Sequence, residues 1–159
     1  MELSIFESIK KLLTDNTIAF KLVHHEPTFT SEDSARVRGE DVRVGGKALV
    51  MKVGDQFKLL VLSAALKADS EAIKQHFGAK KLRFASKEEL LELTGLVPGS
   101  VPPFGNPILP LPLYLDISIT QNEKIAFNAG SPTDSIIMRV EDYIKIAQPE
   151  EIFLFSLQA

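Results

Sequence analysis

The chain has no cysteine and only three histidines in 159 residues. The first absence excludes disulfides, a thiolate nucleophile and cysteine-ligated zinc or iron–sulfur centres. With so few imidazoles there is little material for a metal cage, and neither a metal nor a cofactor is expected. Long apolar runs are also missing: none reaches the roughly 18 residues that a membrane-spanning helix needs. The opening MELSIFESIKKLL has no basic leader ahead of a purely apolar stretch. The expected setting is therefore cytoplasmic, with no membrane partner. Cations are not in excess, since 18 Lys and Arg stand against 21 Asp and Glu for a net charge of -3. That balance opposes non-specific, high-affinity binding of nucleic acid, and no DNA partner is expected, because no surplus of cations is present to displace counterions from phosphates. A local basic patch stays open. What is present is ordinary globular material, 45% hydrophobic and 25% charged, and the length suits one domain over residues 1–159.

The pattern along the chain predicts a mixed order of helices and strands, with hairpins. Ser4 with Glu7 has the spacing of a capping box before Ile5, Ile9, Leu12 and Leu13, a helix expected to end near Asn16. Ile18 to Val23 reads as a strand and Thr30 to Arg36 as a short helix. Two strands follow, Lys47 to Val53 and Gln56 to Ser63, with Gly54 and Asp55 as their turn. Ala68 to Phe77 is expected to be helical and Lys80 to Ala85 extended. Ser86 and Glu89 form a second capping box, with Gly95 as the stop of that helix. Strands are expected over Leu113 to Ile119, Lys124 to Asn128, Ser135 to Val140 and Phe153 to Phe155, and a helix over Glu141 to Ala147. Between Gly95 and Pro112, prolines and glycines lie among Val97, Val101, Phe104, Ile108 and Leu109. Such a segment is neither regular helix nor central strand, yet it is too apolar for a solvated linker, so it reads as a packed loop. The order implies an α+β fold, a mixed and largely antiparallel curved sheet flanked by helices.

Lys47 is the first candidate for chemistry. It opens the strand KALVMKV and by alternation shares a face with Leu49, Met51 and Val53. A partly enclosed ammonium there suits a phosphate, a carbonyl or a developing oxyanion; the competing reading is a strand-end lysine whose head reaches solvent. The loop Pro98 to Gly105 is the second. Its glycines permit close backbone approach and its prolines limit the entropy lost on ordering, so it suits either a small polar ligand held by N–H donors or a plain connector. It does not carry a phosphate-binding nucleotide motif. His24 and His25 lie near Thr28, Thr30, Ser31, Glu32 and Asp33, but no nucleophile elbow accompanies them, and histidines satisfied locally are the simpler reading. Arg36, Arg38, Arg43 and Lys47 form one basic group, and Lys80, Lys81 and Arg83 another. Each suits a phosphate backbone or a solvated surface.

Taken in order, these pieces resemble the YbaK/prolyl-tRNA-synthetase-associated editing family from about Phe20 to Ile146. The matching segments are the strand leading to His25, the helix start Thr30-Ser31-Glu32-Asp33, Lys47 at the head of the central strand, and Phe77-Gly78-Ala79-Lys80-Lys81-Leu82. They continue with Leu93-Thr94-Gly95, the loop Gly99-Ser100-Val101-Pro102-Pro103 in the place of a G-x-x-x-P signature, and Phe127-Asn128-Ala129-Gly130. The resemblance implies that family's fold and a freestanding editing enzyme. Such an enzyme hydrolyses the ester between a wrong amino acid and the 3′ end of tRNA, with the tRNA acceptor end as a transient partner and a synthetase as a further one. It implies Lys47 as the electrostatic or positioning group tied to activity, Gly99 and Ser100 as backbone contacts, Val101 and Pro103 as parts of the pocket loop, and Gly130 as a close-approach position. His25 and Thr30 join them as substrate-side residues. The cysteine-clearing branch carries Ser-Gly-Gly where this chain has Ala129-Gly130-Ser131, so its substrate is not carried over. Alanine, serine, threonine and cysteine stay open, as does a non-catalytic module of the same fold that holds an aminoacyl group, a tRNA end or a synthetase. A small-molecule hydrolase unrelated to tRNA is the third reading.

Overall fold

The computed structural model describes residues 3–28 and 30–159. Its frame is a hairpin of two long strands, β2 (Gly46–Val53) and β3 (Gln56–Ser63), paired along their whole length from Gly46 opposite Ser63 to Val53 opposite Gln56. Strand β3 is buried from Lys58 to Ser63, which explains its unbroken apolar run: Leu59 and Val61 enter one core, Leu60 and Leu62 the other. The hairpin lies in a five-stranded sheet of order β5-β2-β3-β6-β9, with β5 (Leu82–Phe84) antiparallel to β2 and β6 (Leu113–Asp116) parallel to β3; β9 (Glu151–Phe153) is parallel to β6. A second sheet, β1 (Phe20–His24), β8 (Asp134–Arg139) and β7 (Lys124–Asn128), is wholly antiparallel, and β4 (Leu66–Ala68) pairs with β10 (Ser156–Gln158) in a third. The expected mixed, mainly antiparallel architecture is present. It is divided among three sheets, the first two touching through a bridge between Gly45 and Ala126.

Helices cover both faces. Helix α1 (Ile5–Asp15) is capped by the Ser4 hydroxyl, which accepts from the Glu7 N–H, and buries Ile9 and Leu13. Helix α2 (Ser31–Arg38) starts at Thr30, whose hydroxyl accepts from the Asp33 N–H, and stops at Gly39 in the left-handed region. Helix α3 (Ser70–Phe77), capped by Asp69, closes the second core with Ile73, and α4 (Lys87–Thr94) carries the reciprocal Ser86–Glu89 capping box. Further on, α5 (Ile117–Thr120) and α6 (Val140–Ala147) follow β6 and β8 directly.

Several boundaries move by one or two residues, and three differences from the sequence reading have a clear tertiary cause. The strand expected to run to Ile119 ends at Asp116, because the buried Asp116 carboxylate accepts from the Ser118 and Phe155 N–H groups and turns the chain into α5. Leu66 to Ala68, read in part as helix start, is extended because it meets β10. Phe153 ends β9 and Phe155 is fully buried beyond it, so the terminal strand expected at 153–155 is two short strands around a core residue. Residues 95–112 form the packed loop foreseen: Val101, Phe104, Leu109 and Leu111 are buried, and the Phe104 ring meets Phe127 and Tyr143 edge-on.

Candidate active site

Strand β2 is paired with β3 throughout, but its other edge meets β5 only from Met51 to Val53. The first half of that edge is therefore without a strand partner. The Ala85 N–H donates to the Val50 carbonyl, so even-numbered residues of β2 turn their main-chain groups away from β3, and Ala48 presents its N–H and C=O at the open edge. A cavity of about 250 Å³ lies there, bordered by Gly46, Lys47, Ala48 and Leu49 on the strand side. Consecutive residues line it, as expected of a hollow set against an edge.

Lys47 and the Gly99 loop face each other across this one cavity, since Gly99 and Val101 also line it. The Lys47 ammonium donates to the Leu66 carbonyl at 2.5 Å, which fixes the head group and leaves two N–H donors. Partial burial lowers its pKa below the usual lysine value, an effect that Glu32 partly opposes. Gly99 is at φ +90°, the left-handed side that a residue with Cβ rarely adopts. Its carbonyl accepts from the Asn128 Nδ2 at 2.6 Å, which ties the loop to β7.

The third wall is α2. Ser31, Ser34 and Arg38, spaced i, i+3, i+7, lie on one helical face and line the cavity together with Thr30. Arg38 is buried, at 9% exposure. Its Nε donates to Ser135 Oγ at 2.9 Å and its Nη2 to Asn128 Oδ1 at 3.0 Å. Burial lowers the guanidinium pKa to about 10, so it stays charged at neutral pH. With its oxygen engaged by Arg38, the Asn128 amide has one orientation, NH2 toward Gly99. No Asp or Glu lines the cavity among the described residues.

The remaining predicted site residues do not border this cavity. His25 is one hydrogen bond removed. The Glu26 carbonyl can only accept, so Nδ1 donates to it at 2.8 Å, and Nε2 lies 2.8 Å from Ser135 Oγ. Ser100 is buried, and both its N–H and its hydroxyl are occupied by the Val97 carbonyl, which leaves no donor for a ligand. Pro103 gives its carbonyl to the Tyr143 hydroxyl at 2.5 Å and so fastens the loop to α6. The close approach at Gly130 is made by α1, since a Cβ there would come within 2.6 Å of Ile5 Cγ2. Of the two basic groups, Arg36 lies 3.8 Å from Asp33 and Arg83 makes a two-pronged pair with Glu89. Arg38 alone of the first group joins Lys47 at the cavity.

The sequence profile of the aminoacyl-tRNA editing domain matches residues 25–146, which takes in α2, the β2 edge, the Gly99 loop and Asn128. The chain belongs to the aminoacyl-tRNA editing domain family. One relative, the Multifunctional Ser/Thr-tRNA deacylase ProXp-y of Escherichia coli (strain K12), is 38% identical over 147 residues, 87% of this chain and 86% of the relative. The Prolyl-tRNA editing protein ProX of Acetoanaerobium sticklandii is 24% identical over 93% of both chains. Among solved structures, one described as a candidate trans-editing enzyme for prolyl tRNA synthetase superposes with a TM-score of 0.81 at 25% identity, covering 97% of this chain and 99% of the other. The editing-domain fold expected from the resemblance is thereby present in this chain. Among the described residues no group of three potential metal ligands occurs, and no helix is long and apolar enough to cross a membrane.

Proposed function

We propose that the protein is a freestanding aminoacyl-tRNA deacylase that clears serine or threonine from mischarged tRNA in the cytoplasm. The observation that carries this reading is the placement of the Lys47 ammonium and the Gly99 loop across one small cavity at the open edge of β2. The cavity holds hydroxyls, main-chain dipoles and two cations. Among the described residues no side-chain hydroxyl in it is paired with a histidine or carboxylate base: Thr28 Oγ1 pairs with Ser34 Oγ, and Thr30 caps α2. Chemistry by a protein nucleophile therefore has no support. The ester of a charged tRNA is already activated, so direct attack by water is adequate. Water adds to the ester carbonyl, the tetrahedral oxyanion is stabilised by the Lys47 N–H donors, and the bond to the ribose oxygen breaks. The ribose hydroxyl regains a proton and the amino acid leaves as its carboxylate. The Ala48 carbonyl at the strand edge is an acceptor of the right kind for the substrate α-ammonium.

The choice of amino acid rests on two supports. The 38% identical relative is a Ser/Thr-tRNA deacylase by name, and the α2 wall offers Thr30, Ser31 and Ser34 to a small hydroxylated side chain in a cavity of about 250 Å³. A site built to hydrogen-bond a substrate hydroxyl rejects analogues that lack it far more strongly than an apolar pocket rejects one extra methylene. The test is a panel of tRNAs charged with serine, threonine, alanine, cysteine and proline. Seryl- or threonyl-tRNA is expected to be cleared fastest by the wild type, and release is expected to be lost in Lys47→Ala. Clearance of no panel member above the buffer rate, with binding of a non-hydrolysable aminoacyl-adenosine retained, makes the protein a binding module instead.

A further inference from the structure

Arg38 holds more donors than the protein uses. A guanidinium carries five N–H groups. The Nε proton goes to Ser135 and one Nη2 proton to Asn128, while Nη1 has no partner among the described residues. Nη1 lies beside Gly45, 3.6 Å from where a Cβ on that glycine would sit, and Gly45 lines the cavity as Arg38 does. Among the described residues no side-chain nitrogen or oxygen that is sealed from solvent lacks a partner, so Nη1 keeps some exposure, and the hollow that Arg38 lines is this cavity. The cation is thus buried, held in orientation by two neutral groups, without a carboxylate within 4.0 Å among the described residues, and with one edge turned to the ligand space. Keeping a desolvated charge unpaired is costly for the resting protein, and an anion that arrives with the ligand removes that cost.

We infer that the Nη1 edge of Arg38 is an anion seat that receives the phosphate of the tRNA 3′-terminal nucleotide, on the α2 side of the cavity that Lys47 shares. This inference rests on the deacylase reading above for its substrate but names a different contact. The aminoacyl ester itself brings an ammonium and no permanent anion into the site, so the permanent negative charge nearest the reacting ester is that phosphate. The two cations then divide the work: Lys47, with a lowered pKa and a half-open position, meets charge that develops during reaction. Arg38, charged at neutral pH and fixed at two corners, meets charge that is present throughout. A guanidinium suits the second task because its planar fork matches phosphate oxygens.

The experiment needs no turnover. Adenosine 5′-monophosphate reproduces the terminal nucleotide with its phosphate, and its binding to the whole protein is compared with that of adenosine and of inorganic phosphate by NMR titration or calorimetry at low salt. We expect the monophosphate to bind at least about tenfold more tightly than either, the range of a charge-assisted hydrogen bond. In Arg38→Gln that advantage is expected to fall to about twofold or less, with adenosine binding unchanged. Arg38→Lys, which keeps the charge without the fork, is expected to lie between. Equal binding of the monophosphate and adenosine by the wild type overturns the seat even if no variant folds, and equal binding of inorganic phosphate and the monophosphate overturns its nucleotide assignment. Loss of the seat while mischarged tRNA is still cleared leaves the deacylase reading intact. Arg38-dependent monophosphate binding without clearance keeps the seat and removes the deacylase.

Discussion

Of the three lysines on the hairpin, Lys47 and Lys58 have contrasting surroundings. Lys47 begins β2 and is half-buried; Lys58 lies on β3 and is more deeply buried, at 8% exposure. Lys58 is boxed by aromatic rings, 4.7 Å from the centroid of Phe77 and 5.0 Å from that of Tyr114, and its nitrogen has Gln56 Oε1 at 3.3 Å and the Tyr114 hydroxyl at 3.4 Å. Its surroundings are full. Lys47 has one short bond to a carbonyl and an unfilled hollow in front of it. Burial and charge are therefore not what sets the proposed site lysine apart from the boxed one. The difference is the strand edge: β3 is paired on both sides, whereas β2 lacks a partner from Gly46 to Leu49.

The comparison breaks first at the ammonium itself. Lys47→Ala is expected to lower the single-turnover rate constant on the best substrate about 100-fold, the order seen when one oxyanion donor is removed, with an unchanged melting temperature. A loss of less than about threefold makes Lys47 as idle as Lys58. Next comes the opposite wall. Asn128→Ala removes the tether on the Gly99 carbonyl, and kcat/KM is expected to fall about tenfold, the worth of one well-placed hydrogen bond; an unchanged value means that the loop holds itself. The pH profile sharpens the contrast further. Because the ammonium is the active form and burial lowers its pKa, activity is expected to fall with rising pH before the ordinary lysine value of about 10.4 is reached. Glu32→Gln removes the opposing influence and moves that limb to still lower pH, whereas movement to higher pH contradicts the assignment. The smallest effect is expected at the boxed lysine: Lys58→Met leaves the rate within about twofold and changes the unfolding free energy by no more than about 2 kcal/mol, the upper worth of a desolvated cation–π contact.

Much of the frame is written locally in the sequence. The hairpin signal at Gly54-Asp55, the caps at Ser4, Thr30, Asp69 and Ser86, and the stops at Gly78 and Gly95 are all short-range devices, and each is where its spacing places it. The larger differences are long-range: Asp116 ends a strand because Phe155 donates to it from 39 residues away, and Leu66 is extended because β10 arrives beside it. The site divides in the same way. Lys47, Thr30, Gly99 and Val101 are recognisable by type and order, and the structure brings them to one cavity. Ser100, Pro103 and Gly130 are equally recognisable, yet they satisfy the loop, α6 and α1. Arg38 was visible only as one charge in a cluster. Its i, i+3, i+7 relation to Ser31 and Ser34 was the available signal, and the contacts that select it, with Asn128 and Ser135, lie 90 and 97 residues away.

The bridge between Gly45 and Ala126 sets a limit on how this pocket can vary. A methyl group added at Gly45 would come within 2.9 Å of Ala64 Cβ, and one at Gly46 within 2.7 Å of Ile125 Cδ1. A side chain added at either glycine thus meets a packed neighbour, Ala64 beyond the end of β3 or Ile125 of the second sheet, which would have to shift. Narrowing the hollow at these two glycines therefore displaces packed side chains, whereas exchanging Ser31 or Ser34 on the helix at its rim changes which amino acid fits without that cost.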